Sequence, residues 1–187
     1  MTTLRIGIAG LGTVGAGVVK LLQGNKTLLA SRGGAALDVV AVSARSKNKS
    51  RDLVLSGIDW HDDALEIATR SDVDIVVETI GGSEGKAREL VAAALQHGKH
   101  VVTANKALLA VHGTEIFAAA SAKGVMVAFE AAVAGGIPII KALREGLTAN
   151  SIQWIAGIIN GTTNFILSEM RDKGLDFDVA LKEAQRL

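Results

Sequence analysis

The sequence contains no cysteine, no tyrosine and a single proline. Without a thiol there is no disulfide, no thiolate metal site and no thiohemiacetal chemistry. Four Phe and two Trp leave little for base stacking, and a net charge of +1 supplies no basic field, so nucleic acid is not an expected partner. Long apolar runs are missing too: the longest uncharged apolar stretch, 131–140, falls well short of the ~18 residues that span a bilayer. No leader is expected before the first strand, since Met1 to Arg5 runs directly into Ile6-Gly7-Ile8-Ala9-Gly10. These features predict a soluble, cytoplasmic protein with no membrane partner. His61, His97, His100 and His112 share no metal-binding spacing and read as structural or surface residues.

What the chain has in excess is glycine, 21 residues in 187. No repeat period accompanies it, and apolar strands separate the glycines, which argues against collagen and against disorder. The pattern predicts many tight strand-to-helix turns and a backbone that approaches a ligand closely. The length suits one domain or a little more, at about 150 residues per domain.

Hydrophobic periodicity predicts strands at 4–9, 37–43, 73–77, 100–103 and 125–129. Helices are expected at 13–22, 64–69, 84–96 and 114–123, with a loose connection at 24–36 and a polar, basic loop at 44–51. Strands alternating with helices imply right-handed crossovers and a doubly wound, Rossmann-type parallel sheet of the α/β class. The pattern changes near residue 130. Beyond Pro138 a helix at 139–147, a longer strand at 151–159 and two further helices are expected. The reading is a first domain over 1–130 and an incomplete α+β domain over 131–187, whose single strand cannot close a sheet, so the chain reads as truncated.

Gly10-Leu11-Gly12-Thr13-Val14-Gly15 is GxGxxG in its confirming context, after a strand and opening a helix. The first glycine makes the turn, the second lets a pyrophosphate touch the backbone, and the third packs helix against strand. The phosphate sits on exposed N–H groups at the positive end of the helix dipole. The end of the second strand then chooses between NAD and NADP. An acidic residue there would hold the ribose 2′-hydroxyl, but Ser43-Ala44-Arg45-Ser46-Lys47 offers no carboxylate before Asp52. Arg45 can pair with a 2′-phosphate, with Ser43 or Ser46 adding a hydroxyl, which favours NADP while leaving NAD possible. A merely solvated basic loop is the alternative.

Thr79-Ile80-Gly81-Gly82 lies at the carboxyl end of a strand, where ligands collect beside the switch point of such sheets. Lys106 occupies the matching position after the next strand, pointing into the cleft, where partial burial would lower its pKa toward proton transfer. Position alone leaves it open between a site lysine and a surface cation. Glu130 is followed by a glycine-kinked loop to Pro138, which reads either as an oxygen cage for a hard cation or as a domain hinge. In Asn160-Gly161-Thr162-Thr163-Asn164, the residues Thr162, Thr163 or Asn164 can cap the following helix, and the same N–H groups can hold a substrate carboxylate.

Together GLGTVG at 10–15, ETIGG at 78–82, VVTANKALLA at 101–110, FEAAVAGGIPII at 129–140 and GIINGTTNFIL at 157–167 resemble the homoserine dehydrogenase family across essentially the whole chain. The resemblance implies NAD(P)-linked interconversion of L-homoserine and L-aspartate 4-semialdehyde, on the route to threonine, methionine and isoleucine. It implies dinucleotide contacts at Gly10, Leu11, Gly12, Thr13, Val14 and Gly15 and at Thr79, Ile80 and Gly81, with Arg45 favouring the 2′-phosphate. It places Lys106 at the junction of cofactor and substrate as a catalytic residue. It assigns a monovalent cation, sodium, to Glu130 with the carbonyls of Val133, Gly135 and Ile137, and a substrate-loop role to Thr162. It also implies a homodimer for the complete protein and further acidic and lysine site residues downstream of Leu187, so that 187 residues alone bind cofactor with little turnover. Aspartate-semialdehyde dehydrogenase chemistry needs a thiol, which this chain lacks. A non-catalytic NAD(P)-sensing module is the remaining rival.

Overall fold

The computed structural model describes residues 1–187, and these divide into two compact units, Met1–Arg144 and Glu145–Leu187. The first is built on strands β1 (Thr2–Ala9), β2 (Ala35–Ser43), β3 (Asp59–His61), β4 (Ile75–Glu78), β5 (His100–Thr103) and β6 (Val127–Ala128). They form one parallel sheet in the order β3-β2-β1-β4-β5-β6. The order reverses between β1 and β4, the point beyond whose carboxyl strand ends doubly wound sheets bind their ligands.

The sheet has two apolar faces because successive side chains point to opposite sides. On one face Ile6, Ile8, Val42 and Val77 pack with Val19 and Leu22 of α1 (Thr13–Gly24). On the other, Ala9, Ala41, Val76 and Val101 pack with α3 (Ala64–Thr69), α4 (Lys86–Gln96) and α5 (Lys106–Lys123) through Ile67, Leu90, Leu95, Leu108 and Ile116. A Cβ on Gly7 would strike the Ile67 side chain, so this glycine is what lets α3 approach β1. Over β5 the first face is open, with His100 and Val102 exposed.

Several elements depart from the sequence expectation. The connection at 24–36 contains a helix, α2 (Lys26–Gly33), closed by Gly34 in the left-handed region at φ 73°. Its apolar positions do not form a clear stripe, so periodicity misses it. Strand β3 is three residues long at the sheet edge, too short to show alternation. Helix α5 begins at Lys106 rather than near 114, because Asn105 caps it and Gly113 is tolerated inside it. After β6 come two short 3-10 turns, then α6 (Ile139–Lys141) running into a wider turn to Gly146. Residues 131–144 lie within the first compact unit.

The second unit contains α7 (Gly161–Lys173) and α8 (Phe177–Arg186), with Ile166 and Ala180 buried. The strand expected at 151–159 is absent: those residues are exposed and carry no regular secondary structure. A strand exists only through pairing, and no other strand of this unit is available to it. The β part expected of the second domain is thus not formed within this chain.

Candidate functional site

The glycine turn closes the carboxyl end of β1. Gly10 adopts φ +97° and donates its N–H to the Ser43 carbonyl at 2.8 Å. A Cβ there would lie 2.5 Å from the Thr79 carbonyl oxygen, and one on Gly15 would strike the Gly10 carbonyl oxygen and come within 2.6 Å of Thr79 Oγ1. Both glycines are required by the fold itself. Gly12 differs, because nothing lies within 4 Å of a Cβ built on it. It is the N-cap of α1 and offers no side chain to the first-turn N–H groups. An exposed backbone with uncapped donors at a helix start suits a pyrophosphate, so the residues present fit a dinucleotide. Thr13 and Val14 are exposed beside it, whereas the Leu11 side chain is buried and only its backbone borders the turn.

Two partners hold this turn. Thr79 donates its hydroxyl to the carbonyls of Gly10 at 2.6 Å and Ala9 at 3.1 Å. Arg51 donates from Nε to the Leu11 carbonyl at 3.0 Å and from Nη2 to the Ser46 carbonyl at 2.7 Å, with its guanidinium 5.5 Å over the Trp60 ring. Sequence reasoning gave Arg51 only a solvated role, since sequence spacing does not show that a loop folds back onto the turn. Arg45 is exposed. Ser43 is buried, so its hydroxyl does not face a ligand, and Ser46 is the exposed hydroxyl beside Arg45. Asp52, the first carboxylate after the strand, is paired with Lys20 at 2.7 Å. That Lys20 ammonium beside it holds the Asp52 carboxyl below the usual range.

At the end of β4 the structure adds a residue that the sequence reading passed over. Glu78 is fully buried and accepts N–H groups from Ile80 at 2.8 Å and Gly81 at 3.0 Å, and the Thr103 hydroxyl at 2.6 Å. Gly81 and Gly82 take φ +86° and +87°, the left-handed region that the turn requires. Asn105 ties this loop to α5 by donating from Nδ2 to the Gly82 carbonyl at 2.7 Å. Its Oδ1 accepts the Leu108 N–H at 3.1 Å, capping the helix whose first residue is Lys106. The partial burial expected of Lys106 is not found: its side chain is exposed at that first position.

The carboxylate of Glu130 accepts the backbone N–H of Ile140 at 2.9 Å and of Lys141 at 3.0 Å, one per oxygen. Each oxygen keeps a further lone pair. Between them Ala134, Gly135 and Gly136 are all in the left-handed region, at φ +54°, +58° and +98°, and for alanine that conformation is strained. The Val133 N–H donates to the Glu130 carbonyl at 3.2 Å, and the Ile137 carbonyl accepts from the Ile139 N–H at 2.8 Å. No cluster of three His, Cys, Asp or Glu side chains forms a metal site, so any cation here would rest on one carboxylate and backbone carbonyls. In the second unit, Thr162 is exposed in the first turn of α7, and the cap is Asn160, whose Oδ1 accepts the Thr163 N–H at 2.8 Å. None of the three residues expected as caps fills that role. No helix is long and apolar enough to cross a membrane.

Comparison with known proteins adds the family. The model for the NAD binding domain of homoserine dehydrogenase matches residues 10–130, and a second homoserine dehydrogenase model matches residues 138–187. The chain is 56% identical over its full length to the homoserine dehydrogenase of Pseudomonas aeruginosa and 42% identical to that of Bacillus subtilis. It spans 42% and 43% of those relatives' own lengths. A crystal structure of a homoserine dehydrogenase from Thiobacillus denitrificans matches all of this chain and 43% of that one, with TM-score 0.87 and 58% identity. The Staphylococcus aureus enzyme matches with TM-score 0.80 and 39% identity, over 100% of this chain and 43% of that chain.

Proposed function

The chain belongs to the homoserine dehydrogenase family, and from that premise we propose that it is the cofactor-binding part, with the start of the substrate part, of an NADP-dependent oxidoreductase. The reaction is the interconversion of L-homoserine and L-aspartate 4-semialdehyde, on the route to threonine, methionine and isoleucine, in the cytoplasm. The observation that carries the reading is the open position at Gly12 between two glycines that the fold itself fills.

When bound, the nicotinamide supplies a two-electron hydride acceptor or donor at the substrate's C4. The chain's residues do the rest. The turn from Gly10 to Gly15, through its backbone N–H groups, holds the pyrophosphate. Arg45, helped by Ser46, takes the 2′-phosphate, and no free carboxylate competes for the 2′-hydroxyl because Asp52 is paired with Lys20. The loop from Thr79 through Ile80 to Gly81 borders the nicotinamide half. Lys106 accepts the hydroxyl proton as homoserine is oxidised and returns it in the reverse direction. The burial that would tune this lysine is to come from bound cofactor and substrate, since its side chain is exposed in the chain alone. Glu130 and the carbonyls of Val133, Gly135 and Ile137 hold a sodium ion, and Thr162 contacts the substrate. The complete protein acts as a homodimer.

The test is homoserine-dependent reduction of NADP by the longer parent chain, wild type against Lys106→Ala. A loss of about 10²–10⁴ in kcat is expected for a proton-transferring lysine. An unchanged rate would remove Lys106 from that role.

A further inference from the structure

Glu78 is the one carboxylate among the buried residues, and its partners are three neutral donors rather than a cation. Enclosing a carboxylate in this way is costly, and an apolar side chain of similar volume generally fills such a space at lower cost. What the carboxylate adds is direction. Its Oε1 gathers the N–H groups of Ile80 and Gly81, and its Oε2 takes the Thr103 hydroxyl. The Thr103 oxygen accepts the Asn105 N–H at 3.0 Å, so its single hydrogen is left for Glu78. The Asn105 amide then returns to the Gly82 carbonyl at 2.7 Å and its Oδ1 caps α5. The bonds make a closed circuit joining the loop after β4 to the helix that Lys106 begins.

We propose that Glu78, acting through Thr103 and Asn105, is a positioning residue for the nicotinamide half of the dinucleotide. The inference rests on the dinucleotide reading above and deepens it. In a doubly wound sheet each half of the strand order takes one nucleotide. The glycine turn after β1 and the Arg45 loop after β2 serve the adenosine half, which leaves the ends of β4 and β5 for the other. The circuit lies at those two strand ends, beside Lys106, and none of its bonds reaches Gly12 or Arg45. It therefore acts on one half of the site directly and meets the glycine turn only through the neighbouring Thr79.

The test titrates the 187-residue chain with NADPH and with 2′,5′-ADP, which carries only the adenosine half. Thr103→Val keeps the side-chain shape and removes the hydroxyl. It is expected to weaken NADPH about tenfold, the effect of leaving buried groups unpaired, with 2′,5′-ADP unchanged. Thr103→Ser restores the hydroxyl and is expected to recover NADPH affinity to within about twofold of wild type. Glu78→Gln is expected to follow Thr103→Val. If Thr103→Val does not fold, Asn105→Ser gives the same reading, because serine still caps the helix but loses the tie to Gly82. Equal loss for both ligands, or loss for neither, overturns the proposal. A wild-type chain that binds neither ligand removes the dinucleotide reading and this inference with it. Binding of 2′,5′-ADP alone leaves the turn assigned and overturns the positioning role.

Discussion

Thr79 Oγ1 donates to the carbonyl oxygen of Gly10 at 2.6 Å, and that same oxygen is what a Cβ on Gly15 would strike. The turn is thus held from one side by a strand-end hydroxyl and from the other by the helix that follows it. Gly15→Ala is expected to force these apart, lowering the thermal midpoint and abolishing measurable NADPH binding. Retained binding at unchanged stability would show that the turn relaxes freely.

Gly12→Ala separates ligand contact from folding. The position is open and its φ of −76° suits alanine, so the lower entropy of the unfolded chain offsets the poorer N-cap and stability should change by less than about 1 kcal/mol. NADPH affinity should fall at least tenfold if the pyrophosphate meets this backbone. Calorimetric melting and ligand titration on the same sample read both quantities.

Arg45 and Arg51 stand six positions apart in one basic loop and are assigned opposite roles. Arg51 is tied to Leu11 and Ser46 and stacked on Trp60, so Arg51→Ala should loosen the turn and weaken NADPH and NADH alike. Arg45 is exposed, and Arg45→Ala should lower NADPH affinity about tenfold while leaving NADH unchanged, as expected for one lost charge-assisted contact. Equal losses on both cofactors for Arg45→Ala would remove its role at the 2′-phosphate.

At the opposite end of the sheet, Arg5 grips Asp74 through its side chain, Nε at 3.0 Å and Nη2 at 2.9 Å, and through its backbone N–H at 2.8 Å. The Arg5 side-chain hydrogen bonds hold the Asp74 carboxyl below its ordinary value, against the opposing effect of burial, and Arg70 does the same to Asp72. A carboxyl depressed in the folded state stabilises above its unfolded value, about pH 4, and that contribution is lost as pH falls through the folded value. Urea unfolding from pH 7 down to pH 2 should show wild-type stability falling below about pH 4. Asp74→Asn should be less stable at pH 7 and flatter across that window. Parallel profiles would contradict the assignment.

Residues 151–159 expose Ile152, Trp154, Ile155, Ile158 and Ile159, with Trp154 78% and Ile159 98% accessible. So continuous an apolar segment without a partner favours self-association. Sedimentation of the chain is expected to give masses above 19.3 kDa, and a single species at that mass would contradict it.

The sheet was legible because its strands are apolar, separated by helices of clear period and closed by glycine turns. Helix α3 and strand β5 fall where the periodicity predicts them, at 64–69 and 100–103. What escaped is what depends on contacts distant in sequence. Strand β3 exists through its pairing with Ala41 to Ser43, and Arg51 matters through Leu11, forty positions away. Glu78 read as the last letter of a strand, because nothing local shows that Thr103 donates to it and that Asn105 in turn donates to Thr103. The segment 151–159 has the composition of a strand and no neighbour to pair with, so composition alone misplaced it.

The most direct test of the account is titration of the 187-residue chain with NADPH and NADH, run beside Gly12→Ala. The account expects saturable binding that favours NADPH, and a Gly12→Ala chain that melts like wild type but binds at least tenfold more weakly. Equal binding by the two chains, or none by a folded wild type, would contradict a dinucleotide site at the turn between β1 and α1.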